Sequence, residues 1–284
     1  MLNKVVIKKP GTVAPGSPVV FQLKPNPAEE CNGYIKDITG LTPVKANINF
    51  TEMAALPGSQ FQGSNQGNRN IVITLEPQPD WVNNLGFEGV RRMISKKLRN
   101  GSQMELIFYD SVLPPKRIFG YVESVEPTLF SKDPHIQISI VCVDIYFTPL
   151  SGNIVVPMTG WTLGGTSVIF EAENVGDVPT GVIFNFTNMN DATSLGLRNL
   201  ATDALVTYGP VVDGDALALS TVKGSKYCRR TRAGSTSNRL TDLNQIDTWH
   251  EMDVDILSRF RVTNLFKSMA GGTMSFLPKY ESVF

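Results

Sequence analysis

The chain has 284 residues with 26 Lys and Arg against 26 Asp and Glu, a formal net charge of zero, so it lacks the excess positive charge on which wrapping nucleic acid depends. Its length is generous for one β-sandwich and comfortable for two domains; 42% hydrophobic residues supply real cores, while 24 Gly and 18 Pro point to short strands and tight turns. Cys31, Cys142 and Cys228 are widely spaced, with no Cys or His at ligand spacing, and suggest neither a disulfide framework nor a zinc site; they read as reduced thiols, with Cys142 packed in a core.

In chain order, Met1 to Pro10 has too short an apolar run for a signal peptide, and lysines break it. No stretch approaches the roughly 18 apolar residues of a membrane-spanning helix, so a soluble chain made in the cytoplasm is expected. Residues 1 to about 30 form an extended arm with short strands at Val5–Lys8 and Val19–Leu23, where repeated prolines bar a helix. Such an arm either adds a strand to a neighbouring subunit or pairs within its own domain. Tyr34–Leu41 and Val44–Thr51 follow. Pro57–Asn70, rich in Gly, Gln, Asn and Ser, reads as a polar loop that buries little, and Arg69–Leu75 as a strand feeding a helix.

In that helix Phe87, Val90, Ile94 and Leu98 recur at helical spacing, and Asn100-Gly101 stops it. Arg91, Arg92, Lys96 and Lys97 fill its other side. This basic face admits three readings: a phosphate contact, a solvated flank over a core, or a match for an acidic face on an adjacent subunit. After a strand at Gln103–Tyr109, Arg117–Val125 and Ile136–Val143 read as long strands, with Ile136, Ile138, Ile140 and Cys142 on one face. Turn residues from Glu126 to Pro134 join them as a ribbon. Glu123 and Glu126 on this ribbon are acidic interface candidates, set against the basic helix.

Thr148–Gly152 marks a boundary. Beyond it, strands are predicted at Val168–Ala172, Val182–Thr187, Leu195–Asn199, Ala204–Tyr208, Ala216–Thr221, Lys226–Arg229 and Asp253–Val262, the spacing of a second antiparallel sandwich. Arg229–Arg239 reads as a basic, solvated loop, open to a carbohydrate, a phosphate or a partner. Met274–Tyr280 has strand-like alternation after Gly271-Gly272.

The order strand, helix, strand, long ribbon, closed by Cys142-Val143-Asp144-Ile145-Tyr146-Phe147, resembles the distal tail (Dit) proteins of long-tailed phages, although Ile145 stands where that family usually has proline. Ile38-Thr39-Gly40-Leu41 resembles an early strand and glycine turn of the family. Glu173-Asn174-Val175-Gly176-Asp177-Val178-Pro179-Thr180 resembles the segment that opens its galectin-like domain. Asp213-Gly214-Asp215-Ala216-Leu217-Ala218-Leu219-Ser220, with Gly224, resembles a later hairpin of that domain.

The resemblance implies a mainly β fold. Residues 1–150 would form a ring-building belt domain, a β-sandwich with one α-helix and a long β-hairpin. Residues 151–284 would form a galectin-like antiparallel β-sandwich, with the last strand returning to the sheet of either domain. It further implies a structural part of the tail tip or baseplate in the virion: a hexameric ring joining the tail tube to the hub and receptor-binding apparatus, with a channel for DNA. The implied partners are further copies of the chain, the tail tube protein, the tail hub or tail-associated protein, the tape measure protein, and tail fibres or receptor-binding proteins. DNA is passing cargo only, and no membrane insertion is expected. Pro57–Asn70 would lie at the ring lumen or between subunits.

Chemistry has little footing. His135 and His250 are far apart in sequence, without a nucleophile elbow or metal spacing. Asp213 and Asp215 are explained by a turn as readily as by a carboxylate pair, and Gly164-Gly165 has no Lys-Ser or Lys-Thr after it to make a phosphate cradle. No enzyme activity, cofactor or metal is expected. The competing reading is a carbohydrate-binding module that touches the host surface through the second sandwich, for which Trp161, Trp249 and His250 are the candidate contacts.

Overall fold

The computed structural model describes residues 2–11, 18–23, 31–52, 57–79, 86–128, 134–158, 167–189, 194–246, 249–254, 257–263 and 271–284. The chain divides into two compact units, 1–150 with Tyr280–Phe284, and Ser151–Lys279. Both are built from strands, and α1 is the one α-helix among the described residues.

The first unit contains β1 (Leu2–Lys8), β2 (Val19–Gln22), β3 (Gly33–Thr39), β4 (Ala46–Glu52), β5 (Ser59–Gln66), β6 (Arg69–Pro77), α1 (Phe87–Lys97), β7 (Gln103–Asp110), β8 (Lys116–Pro127), β9 (Ile136–Cys142) and β10 (Thr148–Pro149). Strands β8, β7, β1, β2, β3, β6 and β9 pair in that order, and β9 pairs back onto β8, so the sheet closes on itself where a two-sheet sandwich was expected. The length of β8 makes the closure work. One edge pairs with β7, while the other takes β9 along its C-terminal half and the short β10 at Lys116 and Arg117. The register slips at Glu123, a bulge that bends the strand around the corner. Gly120 permits the crossing, since a Cβ there would sit 2.6 Å from Ile140 Cγ2 and 2.8 Å from Cys142 Sγ.

Alternation along these strands sends Val5, Ile7, Phe21, Ile73, Leu106, Ile118, Ile138 and Cys142 into one closed core. Burial holds the Cys142 thiol up at about 12, so it stays protonated. Helix α1 adds Val90, Ile94 and Leu98 to this core. The arm's described strands β1 and β2 pair inside this sheet. The turn at 129–133 lies outside the described residues, as do Pro15, Pro25 and Pro27.

The second unit contains β11 (Ile154–Pro157), β12 (Ser167–Glu173), β13 (Thr180–Met189), β14 (Leu195–Asn199), β15 (Leu205–Tyr208), β16 (Asp215–Ser220), β17 (Tyr227–Arg232), β18 (Ser235–Asn238), β19 (Leu243–Ile246), β20 (Glu251–Met252), β21 (Leu257–Thr263) and β22 (Gly271–Phe276). One sheet runs β11-β22-β13-β16-β17-β18 with β20 beside β13, the other β12-β21-β14-β15-β19, all antiparallel. Their facing sides share a core in which the Phe184 ring meets Phe170, Phe186 and Phe260. Arg229–Arg239 is a hairpin rather than a loop. Ala233 and Gly234, at φ +46° and +79°, turn the chain tightly enough for Arg232 to pair with Ser235.

Candidate assembly surface

The features that make the first unit a candidate for assembly grow from one joint, built around Arg69. Its side chain points into the end of the closed sheet and is 2% exposed. A buried guanidinium must place its donors, and this one does so on backbone carbonyls far apart in sequence. Nε donates to Ile145 O at 2.8 Å, Nη1 to Gly40 O and to Thr42 O at 2.7 Å, and Nη2 to Glu281 O at 2.7 Å. Its plane lies 4.5 Å from the centre of the Phe147 ring, which meets Phe108 edge-on.

Beside it, the C-terminal residues are clipped into the same unit. Tyr280 pairs with Phe147, the Lys116 ammonium donates to Ser282 O at 3.1 Å, and Val283 enters the core. Gly40 sits at φ +84°, and a Cβ on it would come within 2.1 Å of Asn70 O, so the turn there requires glycine.

From this joint emerges a ribbon, β4 paired with β5 and with no other strand among the described residues. It is tied at its base by Tyr146, whose hydroxyl donates to Gln66 Oε1 at 3.4 Å, and by Gln66 Nε2, which donates to Val44 O at 3.4 Å. The stretch expected to be a polar loop is therefore mostly strand. Ala46, Ile48, Phe50 and Glu52 alternate onto one face of β4, with Asn47, Asn49 and Thr51 on the other. On β5 a bulge lets Asn49 pair with Gly63 and Phe50 with Phe61, so Gln62 is the extra residue. That slip puts Phe61 on the face of Phe50, where the rings meet edge-on at 6.2 Å. Ile48, Phe50 and Phe61 remain 54%, 59% and 59% exposed. An isolated two-stranded ribbon is marginal in water, and this one leaves its apolar face bare.

A second bare patch lies on the barrel wall, where Phe119 and Tyr121 of β8 are 37% and 44% exposed. Arg117 sits beside them with its guanidinium 5.6 Å from the Phe119 ring centre, and pairs with Glu105 at 3.3 Å.

Of the interface candidates from sequence, Arg91 is committed to its own chain, paired with Glu88 at 3.1 Å and donating to Thr128 O at 3.0 Å. Arg92 and Lys96 are exposed on α1, and Lys97 is half-buried. Glu123 is exposed at the β8 bulge and accepts the Ser139 hydroxyl at 2.7 Å, while Glu126 is exposed further along the strand. Sequence reasoning missed the ribbon and the wall. Phe50, Phe61, Phe119 and Tyr121 are aromatic residues at outward positions, a signal visible only once the register is known.

Of the sugar candidates, the two that are described, Trp249 and His250, are drawn into the second core. Trp161 lies outside the described residues, as does Gly164-Gly165. Trp249 packs against the second core with the Lys226 ammonium 4.8 Å from its ring centre. His250 is 1% exposed, wedged between Phe184 and Phe260, with Nε2 3.0 Å from Leu197 O. Its place in the core removes it as a contact for a sugar arriving from solvent. Burial holds its pKa down at about 4, so at neutral pH it is uncharged and Nε2–H donates. Asp215 is buried as well, held by a two-pronged pair with Arg232 at 2.7 and 2.8 Å. That hydrogen bonding lowers its pKa, and the carboxylate serves as a fastener. His135 is half-buried, its backbone N–H donating to Thr128 Oγ1 at 2.9 Å.

No protein-family model and no curated protein matches this sequence. Among solved structures, the chain is similar to the Dit protein (gp 19.1) of phage SPP1, described as a paradigm of the hub adsorption apparatus in phages infecting Gram-positive bacteria. The TM-score is 0.64 at 12% identity, over 87% of this chain and 93% of that one. A chain of the phage P2 baseplate in its activated conformation with calcium aligns over 99% of both chains at 10% identity, with a TM-score of 0.46. The chain thus has the fold of the SPP1 Dit protein.

Proposed function

We propose that this protein is a structural part of a phage tail tip or baseplate, in which copies of the first unit associate head to tail into a closed ring. The observation that carries this reading is the bare apolar face of the β4–β5 ribbon, set on a rigid joint in a fold shared with a phage hub protein. A monomer gains nothing by holding Ile48, Phe50 and Phe61 in water; a neighbouring subunit that covers them does.

Six copies, a lumen continuous with the DNA channel, and contacts to the tail tube, the hub and the receptor-binding proteins follow from the resemblance to the Dit family. The exposed Arg92 and Lys96 and the exposed Glu123 and Glu126 are complementary charges that would set the register between copies. Shape and symmetry do the work, with no catalytic step. Replacing residues 46–66 with a short glycine linker tests the reading: far-UV circular dichroism and thermal unfolding should stay those of a folded β protein, while sedimentation shows the loss of oligomers. Oligomers of unchanged size would contradict it.

A further inference from the structure

The two bare patches of the first unit carry matching patterns. Along β4, Ile48, Phe50 and Glu52 share a face at alternate positions, and along β8, Arg117, Phe119 and Tyr121 do the same. Four residues of strand cover about 13 Å, so Ile48 to Glu52 and Tyr121 to Arg117 span equal lengths. Laid face to face with opposite chain directions, Glu52 meets Arg117, Phe50 meets Phe119 and Ile48 meets Tyr121.

Charge agrees with the order. The Glu105 carboxylate is shared by Lys8 at 3.5 Å and Arg117 at 3.3 Å, so among these three residues the wall carries one positive charge more than it balances. Glu52 would supply the missing negative charge. The ribbon does not suit a copy of itself. Two ribbons stacked antiparallel would press the Glu52 carboxylate onto Ile48, and stacked parallel they would set Glu52 against Glu52, each leaving a charge desolvated without a counter-ion.

We propose that the apolar face of the β4–β5 ribbon of one copy docks on the β8 wall of the next copy, with Phe50 on Phe119 and Glu52 on Arg117. The contact is heterologous, the type that builds a ring when its rotation closes. The inference rests on the ring reading above and names the two surfaces that join its copies.

Two full-length variants in a Cys31→Ser background test it, Phe50→Cys and Phe119→Cys. Both aromatic side chains lie on the surface, so the substitutions leave the cores intact. The variants are treated with a short bismaleimide separately and as a mixture, alongside light scattering of the unmodified chain. The mixture should give at least about tenfold more covalent dimer than either variant alone, the margin that 1.4 kcal/mol of preference produces. In the same assay Glu52→Lys should lower the yield. Oligomers that form without a 50-to-119 cross-link would overturn this pairing and leave the ring reading standing. Efficient cross-linking of Phe50→Cys with itself would overturn it in favour of a ribbon-to-ribbon contact. A chain that stays monomeric throughout would contradict both.

Discussion

A single guanidinium fastens the first unit. Arg69 gathers the carbonyls of Gly40, Thr42, Ile145 and Glu281, which lie at distant points of the chain, and no point charge reproduces its fork. Arg69→Lys therefore leaves several buried carbonyls unpaired, and urea unfolding should show a loss of about 3 kcal/mol. A change within about 0.5 kcal/mol would mean the joint carries no weight.

His250 makes a second residue-scale prediction. Its pKa falls from an ordinary 6.5 to about 4 on folding, so between those values the unfolded chain binds the extra proton. Stability from this site is fully present above pH 6.5 and declines as pH falls towards 4, by about 3 kcal/mol in total. His250→Gln should flatten that part of the stability-against-pH curve. An equal slope in the variant would remove His250 as its cause.

The phrases that stood out in the sequence hold fasteners of this kind. Gly40 needs its left-handed turn. Asn174, fully buried, donates to Val178 O and Met252 O and accepts the Gly176 N–H. Asp215 grips Arg232. The residues were legible while their partners were not, because the partners lie elsewhere in the chain: Met252 O is 78 positions from Asn174, and the Arg232 side chain is 17 from Asp215.

At the scale of elements, period-two alternation made the core strands readable, and helical spacing did so for α1, whose Val90 and Ile94 are buried. The same signal failed at β5. Its sequence, Ser59-Gln60-Phe61-Gln62-Gly63-Ser64-Asn65-Gln66, is poor in strand formers, and the bulge breaks the parity of its alternation. A strand without a core beneath it has no reason to alternate. The bulge also has a use, since it turns Phe61 towards Phe50. Phe61→Ser should take that ring off the Phe50 face and reduce self-association, with the unfolding transition of the barrel unchanged. Undiminished association in this variant would show that Phe61 takes no part.

For the whole molecule, the mainly β class was legible from glycine, proline and alternation, and the closed sheet was not. Closure depends on β9 meeting both β6 and β8, and on the parallel pairing of β2 with β3, long-range choices that leave no local trace. The return of Tyr280–Phe284 to the first unit belongs to the same class: a few residues whose register is set by Phe147, Lys116 and Leu41 rather than by their neighbours in sequence. What closure provides is a wall with few open strand edges, on which apolar patches can serve an assembly without inviting edge-to-edge aggregation. The ribbon and that wall then give the unit two unlike faces, as a ring requires. The most direct measurement is light scattering with negative-stain imaging of the purified chain, alone and mixed with the tail tube protein that the proposed ring would join. The account predicts a flat annulus with a central hole, built from identical copies; a monomer under both conditions, or an open filament, would contradict it.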